Sequence, residues 1–319
     1  MKDAQGRHID YLRISLTDLC NFRCVYCMPE GGVEKLSHDQ ILRREELIAV
    51  TQLMVERFGI RKVRITGGEP LIRRGVIDFL REIRCIPDLE DVALTTNGYL
   101  LEDLAGDIHD VGVTRLNISL DTLRRDRFQQ ITRTDGLPKV LRGIEAAIKA
   151  GFQPIKLNVV ALKETLDEAA DFIAFGIEKN IEVRFIELMP FRSEMNASYI
   201  SNDEVKRAIE KKVSLTKLED NEASHGPAVR YRVGEGQVPC GFISPVSRPF
   251  CTKCNRIRLR GDGKLVPCLK GYTKYDLMPY IRPIFRGDDL AVAIRDLMSN
   301  DLKEKCPEHQ LHPMSQIGG

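Results

Sequence analysis

Strand-like and helix-like segments alternate along the first two-thirds of this chain, and that order limits the folds it can adopt. The apolar pattern predicts strands over residues 11–16, 62–66, 92–95, 115–120, 155–162 and 182–188. It predicts helices over residues 44–58, 76–83, 100–108, 123–131, 140–150 and 166–179, with Gly151 as the stop of the fifth. Such alternation indicates a parallel sheet with right-handed crossovers. We therefore expect an α/β fold, an incomplete (β/α)6 TIM-like barrel with its ligands at the carboxyl ends of the strands.

The pattern changes after Pro190. Residues 191–202 are polar and predicted to form a loop, and residues 203–211 a short helix with Asn202 as its N-cap. Residues 217–236 are charged and weakly patterned. We place the domain boundary here, with the partial barrel over residues 1–200 and a C-terminal α+β region over residues 201–319.

Composition excludes some classes of protein. The 319 residues carry 48 basic and 46 acidic side chains, a net charge of +2, which gives no support for a general nucleic-acid or membrane binder. We see no apolar run long enough to span a bilayer and no apolar signal region at the start, so we expect a cytoplasmic location. Nine cysteines without a leader argue against a disulfide framework, and their grouping near the two ends indicates metal chemistry.

Three cysteines stand within eight residues, directly after the first predicted strand, as Cys20-Asn-Phe-Arg-Cys24-Val-Tyr-Cys27. A loop this short can direct three thiolates to one point, as a metal ion or an iron–sulfur cluster requires. Because such clusters usually take four cysteines, three would leave one position open, which is typical of a reactive site. A zinc site completed by His8 or His38, or plain buried cysteines, stays open as the alternative.

The spacing Cys-x3-Cys-x2-Cys, with an aromatic residue before the last cysteine, resembles the signature of the radical S-adenosylmethionine (radical SAM) family. The resemblance implies that Cys20, Cys24 and Cys27 hold a [4Fe-4S] cluster whose fourth iron binds the amino and carboxylate groups of S-adenosylmethionine. It also implies that one electron from the cluster cleaves this cofactor to a 5′-deoxyadenosyl radical, and that Tyr26 lies against the adenine.

A glycine pair with a carboxylate, Gly67-Gly68-Glu69, follows the second predicted strand. Paired glycines allow a close backbone approach to a ligand, and the carboxylate can take an ammonium group, although this sequence alone is more often a tight turn. By the resemblance Gly68 contacts S-adenosylmethionine, and Ser119 and Met189 match other contact positions. Their alternatives are a helix-entry cap for Ser119 and ordinary packing for Met189.

A second group of cysteines has the spacing Cys-x2-Cys-x13-Cys and consists of Cys251, Cys254 and Cys268. Arg256, Arg258 and Arg260 alternate beside it, so on an extended segment they share one face. Guanidinium groups match phosphate oxygens, which predicts a triphosphate or another multiply charged ligand. With Cys240 the same cysteines could instead form an all-cysteine zinc ribbon, and this alternative stays open.

Taken together, these motifs resemble one branch of the radical SAM family, which cyclises GTP at the start of molybdenum cofactor biosynthesis. The run Gly6–Ser15, the Cys-x2-Cys-Asn-Arg-x-Arg stretch and the terminal Gly318-Gly319 belong to this likeness, whereas residues 191–199 depart from the branch. It implies a second [4Fe-4S] cluster in the C-terminal extension, whose open iron binds the guanine. The implied GTP contacts are Arg13, Arg64, Thr95, Lys156, Arg256, Ile257 and Arg258.

The implied reaction is a radical rearrangement. The deoxyadenosyl radical removes the hydrogen at C3′ of GTP, and C3′ then bonds to C8, giving (8S)-3′,8-cyclo-7,8-dihydroguanosine 5′-triphosphate. Arg13, Arg256 and Arg258 are the implied catalytic residues, with Arg13 a candidate proton donor or electrostatic stabiliser. The implied partners are a flavodoxin- or ferredoxin-type reductant and a downstream cyclic pyranopterin monophosphate synthase, with a homodimer left open.

Predictions also follow for Lys156, for the C-terminal glycines and for two cysteines outside both groups, and three rival classes of protein are considered. Lys156 is expected either at a solvent-facing strand end or inside the barrel with an anionic partner. The resemblance implies that the Gly-Gly end enters the active site; otherwise such an end is disordered or is a tail suited to adenylation or conjugation. Cys85 is expected to be a small buried residue and Cys306 to belong to the tail. The rival classes are a peptide-modifying radical SAM maturase, a zinc-stabilised binding protein without turnover and a ferredoxin-like electron carrier.

Overall fold

The computed structural model describes residues 1–33, 36–189, 193–219, 226–269 and 274–299 of the chain. They form two compact units. The first unit contains residues 1–96 and 106–114 together with the described residues from 252 onward. The second contains residues 97–105 and 115–251, less the gaps given above.

Strands and helices alternate in both units. In chain order the strands are β1 (Tyr11–Ser15), β2 (Lys62–Thr66), β3 (Asp91–Thr96), β4 (Arg115–Ser119), β5 (Ile155–Ala161), β6 (Glu182–Glu187), β7 (Leu215–Lys217), β8 (Val229–Val233), β9 (Pro239–Ile243), β10 (Arg256–Leu259), β11 (Lys264–Val266) and β12 (Tyr275–Asp276). The helices are α1 (Arg44–Phe58), α2 (Val76–Arg84), α3 (Leu101–Asp110), α4 (Arg125–Thr132), α5 (Leu137–Lys149), α6 (Ala169–Lys179), α7 (Asn202–Glu210), α8 (Met278–Ile281) and α9 (Gly287–Ser299).

The first unit is a mixed sheet in the order β12-β11-β10-β1-β2-β3. Strands β10, β1, β2 and β3 are parallel, while β11 runs antiparallel to both β10 and β12. Side chains alternate between the two faces of a strand. One face of the parallel strands is apolar and fully buried, and its members are Leu12, Ile14, Val63, Ile65, Ile257 and Leu259. The opposite face is therefore the one that carries the polar residues of these strands.

The second unit is also a mixed sheet, in the order β4-β5-β6-β9-β8-β7. Strands β4, β5, β6 and β9 are parallel, and β8 is antiparallel to both of its neighbours. Phe185 of β6 lies at the centre of its core, stacked on Phe242 with ring centroids 5.7 Å apart and edge-on to Phe172 at 6.4 Å. This aromatic packing holds α6 and β9 against β6.

The six strands and six helices predicted for residues 11–188 are present, with ends that differ by a few residues. Helix α6 begins at Ala169 because residues 163–168 form a 3-10 helix before it. Gly151 lies just past the end of α5 with a φ of +90°, which confirms it as the stop. Among the described residues, no helix combines the length and the apolar character needed to cross a membrane.

Two local predictions are wrong. The N-cap of α7 is Ser201 rather than Asn202, because Ser201 and Glu204 form a reciprocal capping box. Cys85 is exposed at the end of α2 rather than buried. The weakly patterned residues 217–236 include strand β8, which owes its place to pairing with β7 and β9. The boundary near residue 200 stays a prediction.

Candidate functional site

The first cysteine group lies in the loop that follows β1. Cys20, Cys24 and Cys27 are all partly exposed. A helical turn begins at Cys24, whose carbonyl accepts from the backbone N–H groups of Cys27 (2.9 Å) and Met28 (3.1 Å). The backbone N–H of Phe22 donates to the Cys20 sulfur at 3.3 Å. Three partly exposed cysteines on one loop, one of them already receiving an N–H, are the residue type that an iron–sulfur cluster takes as ligands.

The glycine pair packs directly on this cysteine loop. The N–H of Gly68 donates to the carbonyl of Thr17 at 2.7 Å, and that of Glu69 to the carbonyl of Leu19 at 2.8 Å. A Cβ at position 68 would lie 2.1 Å from the Leu19 carbonyl oxygen, so only glycine fits there. The close approach predicted for the glycines is therefore made to the backbone of the cysteine loop.

Two buried side chains support the same region. The Glu69 carboxylate is fully buried and accepts from the Thr96 hydroxyl at 2.7 Å and the Leu71 N–H at 3.1 Å. The Arg73 guanidinium donates to the carbonyls of Leu16 (2.5 Å) and Leu42 (2.6 Å), which stand at the two ends of the cysteine loop. Arg73 thus ties both stems of the loop together, a role that the sequence analysis missed.

A row of arginines crosses three neighbouring strands of the first unit. Arg13 of β1 is in register with Arg258 of β10 on one side and with Arg64 of β2 on the other. Because in-register residues of parallel strands point to the same face, the three guanidinium groups share the face opposite the apolar core. Arg256 lies on that face one step back, in register with Tyr11. We call Arg13, Arg64, Arg256 and Arg258 the arginine row.

The arginine row carries a concentrated positive charge. Burial, and then the charge of Arg256, lowers the pKa of Arg258 to about 10. Burial and the charge of Arg258 hold the pKa of Arg13 well below its ordinary value. The Nε of Arg258 is buried and has no hydrogen-bond partner among the residues that the structure describes. A cluster of this kind is stabilised by an anion, and planar guanidinium groups suit phosphate oxygens.

Neutral hydroxyl groups hold Arg64 in this row. Its Nε donates to the Tyr11 hydroxyl at 2.5 Å and its Nη1 to the Thr95 hydroxyl at 3.4 Å. The predicted GTP contacts Arg64 and Thr95 are therefore adjacent. Tyr11 was not predicted as a site residue, although its position two residues before Arg13 places both on one face of a strand.

The second cysteine group is partly assembled at the amino end of β10. Cys254 directly precedes this strand, and Cys268 follows β11, which runs antiparallel to β10. Both are partly exposed, and both lie within electrostatic range of Arg258. Asn255 anchors the segment, because its carbonyl accepts from the N–H of Tyr11 and its side chain donates to Asp10 at 2.6 Å.

The chemistry of Cys254 suits a metal ligand. Burial raises the pKa of its thiol, but the charge and hydrogen bonding of Arg256 outweigh burial, and the net pKa is lowered. Cys251 begins a 3-10 turn over Cys251–Lys253 and is exposed. Two cysteines beside the arginine row, one of them favoured as a thiolate, fit an iron–sulfur site in contact with an anionic substrate.

One expectation about this region does not hold. Arg260 does not join the arginine row, because β10 ends at Leu259 and the guanidinium pairs with Asp262 at 2.9–3.0 Å. Cys240 lies in β9 with 1% of its surface exposed, and burial raises the pKa of its thiol to about 12. This is the pKa of the thiol without a metal ion, and a bound zinc ion would itself deprotonate it, so the zinc ribbon with Cys240 stays open as an alternative.

The remaining predicted residues lie in the second unit or outside the described residues. Lys156 of β5 is only 8% exposed, so the solvent-facing alternative is wrong; Glu182 of β6 is its register partner. Ser119 ends β4 and Met189 follows β6, and both are partly exposed. Cys306 and the Gly-Gly end fall outside the described residues. Within the described ranges, no three Cys, His, Asp or Glu side chains form a group that could hold a metal ion.

Comparisons with known families cover nearly the whole chain. Residues 14–176 match the family described as the Radical SAM superfamily, and residues 181–311 match the family described as Molybdenum Cofactor Synthesis C. The chain is 43% identical to a GTP 3′,8-cyclase of Alkaliphilus metalliredigens (strain QYMF), with 100% of both chains covered. It is 42% identical to a GTP 3′,8-cyclase of Moorella thermoacetica, again over 100% of both, and 39% identical to one of Listeria monocytogenes serotype 4b, over 100% of this chain and 99% of that one.

Solved structures share the fold at low sequence identity. The crystal structure of Streptococcus suis SuiB matches with a TM-score of 0.60 and 14% identity, over 91% of this chain and 68% of that one. SuiB bound to S-adenosylmethionine matches with a TM-score of 0.58 and 15% identity, over 92% and 64% of the two chains. These likenesses show a shared fold, and with the Radical SAM match over residues 14–176 the chain has an α/β fold of the radical SAM type with a mixed sheet.

Proposed function

This chain belongs to the radical SAM superfamily and, within it, to the GTP 3′,8-cyclases of molybdenum cofactor biosynthesis, and we propose that its arginine row is the binding site of the GTP triphosphate. The register of Arg258, Arg13 and Arg64 carries this proposal. Four guanidinium groups on one face can match the charge of a triphosphate, whereas a peptide substrate would not require them.

We propose that the two cysteine groups hold two [4Fe-4S] clusters. Cys20, Cys24 and Cys27 would hold the first, and Cys251, Cys254 and Cys268 the second, with Tyr26 and Gly68 beside S-adenosylmethionine at the first. Within the first unit the first group follows the carboxyl end of β1, while Cys254 and Cys268 lie at the amino end of β10. The arginine row lies between these two ends of the strands, where the triphosphate would be held.

When bound, the first cluster and S-adenosylmethionine supply the 5′-deoxyadenosyl radical that removes the C3′ hydrogen of GTP. The residues of the chain orient and neutralise the substrate. Arg258 and Arg256 would face the triphosphate from β10 and Arg64 from β2, which fixes the ribose relative to the radical source. Bonding of C3′ to C8 leaves a radical, which must take up one electron and one proton to give the 7,8-dihydroguanosine product. The proposed reductant would supply the electron, and Arg13, at the centre of the row, would donate the proton or stabilise the developing charge.

We also propose the finer features that the family membership implies. These are an incomplete (β/α)6 barrel over residues 1–200 with a C-terminal region from 201, a cytoplasmic location, a flavodoxin- or ferredoxin-type reductant and a downstream cyclic pyranopterin monophosphate synthase. Lys156, Ser119 and Met189 keep the contacts predicted for them. The side chain of Ile257 is fully buried on the apolar face opposite the arginine row, so only its backbone would contact GTP. The match to the Molybdenum Cofactor Synthesis C family over residues 181–311 supports the C-terminal part.

Anaerobic iron, sulfide and zinc analysis tests the two-cluster proposal. We expect about eight iron and eight sulfide ions per chain, falling to about half in a C251A/C254A/C268A variant. Cys85→Ala removes an exposed cysteine outside both groups and should leave the iron content unchanged. Zinc in the wild-type protein, or an iron content of four that the triple variant leaves intact, would overturn the second cluster.

A further inference from the structure

Tyr11 lies among the residues of the arginine row. It is in register with Arg256 of β10, and it shares a strand face with Arg13 two residues later. Its hydroxyl accepts a hydrogen bond from Nε of Arg64, and the guanidinium carbon of Arg64 lies 5.9 Å from the centroid of its ring. The other ring–cation contacts given for the described residues, those of Tyr99, Tyr231 and Tyr280, are each with a cation outside the row.

Two contacts fix the plane of the Arg64 guanidinium. Tyr11 accepts from Nε, and Thr95 accepts from Nη1 at 3.4 Å. A guanidinium is planar and rigid, so contacts at two of its nitrogens also set the direction of the remaining N–H groups. Without these two contacts the Arg64 side chain would lose its rotamer freedom only when a ligand binds, and this entropy cost would weaken the binding.

Both acceptors are uncharged, which distinguishes Arg64 from Arg260 and Arg282 of the same unit. Arg260 is held by the Asp262 carboxylate and Arg282 by the Glu46 carboxylate at 2.6 Å, and each pair is neutral overall. Arg64 pairs with no carboxylate in the parts of the chain that the structure describes. A hydroxyl orients a guanidinium without cancelling its charge, so Arg64 stays fully available to an anion.

We propose that Tyr11 is a positioning residue that orients Arg64 toward the phosphate groups of the substrate through its hydroxyl. This inference rests on the proposed GTP site at the arginine row. Tyr11 would act by orienting Arg64, and it would not take part in the radical chemistry itself. It also explains why a polar aromatic residue stands at the start of a strand whose apolar positions face the core.

The test is a double-mutant cycle on the reconstituted holoenzyme, read out as the dissociation constant for GTP under anaerobic conditions. Tyr11→Phe keeps the ring and removes the acceptor, and we expect it to weaken GTP binding about tenfold. In an Arg64→Ala background the same substitution should change the constant less than about twofold. S-adenosylmethionine affinity and iron content should not change.

Two further measurements separate positioning from a general structural role. The loss in Tyr11→Phe should appear with GTP and be absent with guanosine, which has no phosphate. Arg64→Lys keeps the charge but not the planar fork, so it should lose about as much affinity as Tyr11→Phe. Tyr280→Phe, beside Arg286 in the same unit, is the matched control and should bind GTP like the wild type.

Unchanged GTP affinity in Tyr11→Phe, or the same tenfold loss with Arg64 already removed, would overturn the inference. Full GTP affinity in Arg64→Lys would also overturn the inference, because the orientation of a planar guanidinium would then not matter. This test remains valid even if Tyr11→Phe takes up no iron, since it does not use that variant. Arg64→Ala with unchanged GTP affinity is a different failure, because it would remove the proposed GTP site itself.

Discussion

Arg13 and Arg258 stand in register on the neighbouring parallel strands β1 and β10, although they come from opposite ends of the chain. Burial and the charge of Arg258 hold the pKa of Arg13 well below its ordinary value, while burial and the charge of Arg256 lower the pKa of Arg258. The pair links the first cysteine group, which follows β1, to Cys254, which precedes β10. This relationship is the physical basis of the predictions below.

Arg258→Ala should weaken GTP binding about 10- to 100-fold, because a charge-assisted contact with a phosphate is lost. S-adenosylmethionine cleavage without GTP should persist. Equilibrium dialysis of the holoenzyme measures the first, and the release of 5′-deoxyadenosine measures the second. Arg260→Lys is the control, since Arg260 pairs with Asp262 and lies past the end of β10. If Arg260→Lys weakened GTP binding as much as Arg258→Ala does, the assignment would be contradicted.

Removal of the Arg258 charge should stabilise the protein in the absence of ligand. The pKa of Arg258 is about 10 in the folded protein, below its ordinary value, so the unfolded state binds the proton more tightly. The free energy of unfolding therefore rises as the pH increases from about 10 toward the ordinary pKa of arginine. At pH 7 Arg258 is charged in both states, so the full cost of burying its charge is present. Arg258→Met should raise the free energy of unfolding at pH 7 by about 1–3 kcal/mol.

Arg258→Met should also be stabilised less by a polyanion than the wild-type protein is. Tripolyphosphate should raise the melting temperature of the wild-type protein, since it neutralises the arginine row, and should raise that of Arg258→Met less. Thermal unfolding with and without tripolyphosphate measures both effects. An equal rise in the two proteins would show that the anion binds elsewhere.

Gly68→Ala should disrupt the first cysteine loop. Its Cβ would lie 2.1 Å from the Leu19 carbonyl oxygen, a backbone atom that cannot move without shifting the loop. We expect the variant to lose about half of its iron, the part held by Cys20, Cys24 and Cys27, and to bind S-adenosylmethionine weakly. Gly31→Ala, in the same loop with open space around its Cβ, should keep all of its iron.

Thr96→Val should leave the buried Glu69 carboxylate without one of its donors. Loss of that contact should cost about 1–3 kcal/mol in the free energy of unfolding and weaken the binding of S-adenosylmethionine. Thr51→Val removes another buried hydroxyl, which donates to the Leu47 carbonyl within α1. Denaturant unfolding and cofactor titration should show a stability loss in both variants but weaker cofactor binding only in Thr96→Val.

Local patterns were sufficient for most of the elements. The helix over Arg44–Phe58 and the strand over Lys62–Thr66 were predicted to the residue, because apolar spacing and clear breaks mark both. The short strands β7, β11 and β12 were not predicted. Two or three residues hold no periodic signal, and such strands exist only through pairing with neighbours that are distant in the chain.

Arg260 shows the same limit at the site. Its alternation with Arg256 and Arg258 predicted a shared face, but the strand ends one residue earlier and Asp262 takes the guanidinium. Cys85 was predicted to be buried from residue type alone, whereas its place at the end of α2 leaves it exposed. Residue type and spacing do not decide where a strand ends or which surface of a helix is covered.

Local patterns were enough to identify the two cysteine spacings, the glycine pair, the alternation of strands and helices along the first two-thirds of the chain and the family that these motifs indicate. The folded structure was needed to show that Arg64, Arg13 and Arg258 form one row, that Tyr11 and Thr95 hold Arg64, and that Arg260 lies outside the row. The physical reason is strand register, which is set by the pairing of residues far apart in the chain and therefore leaves no mark in any single segment.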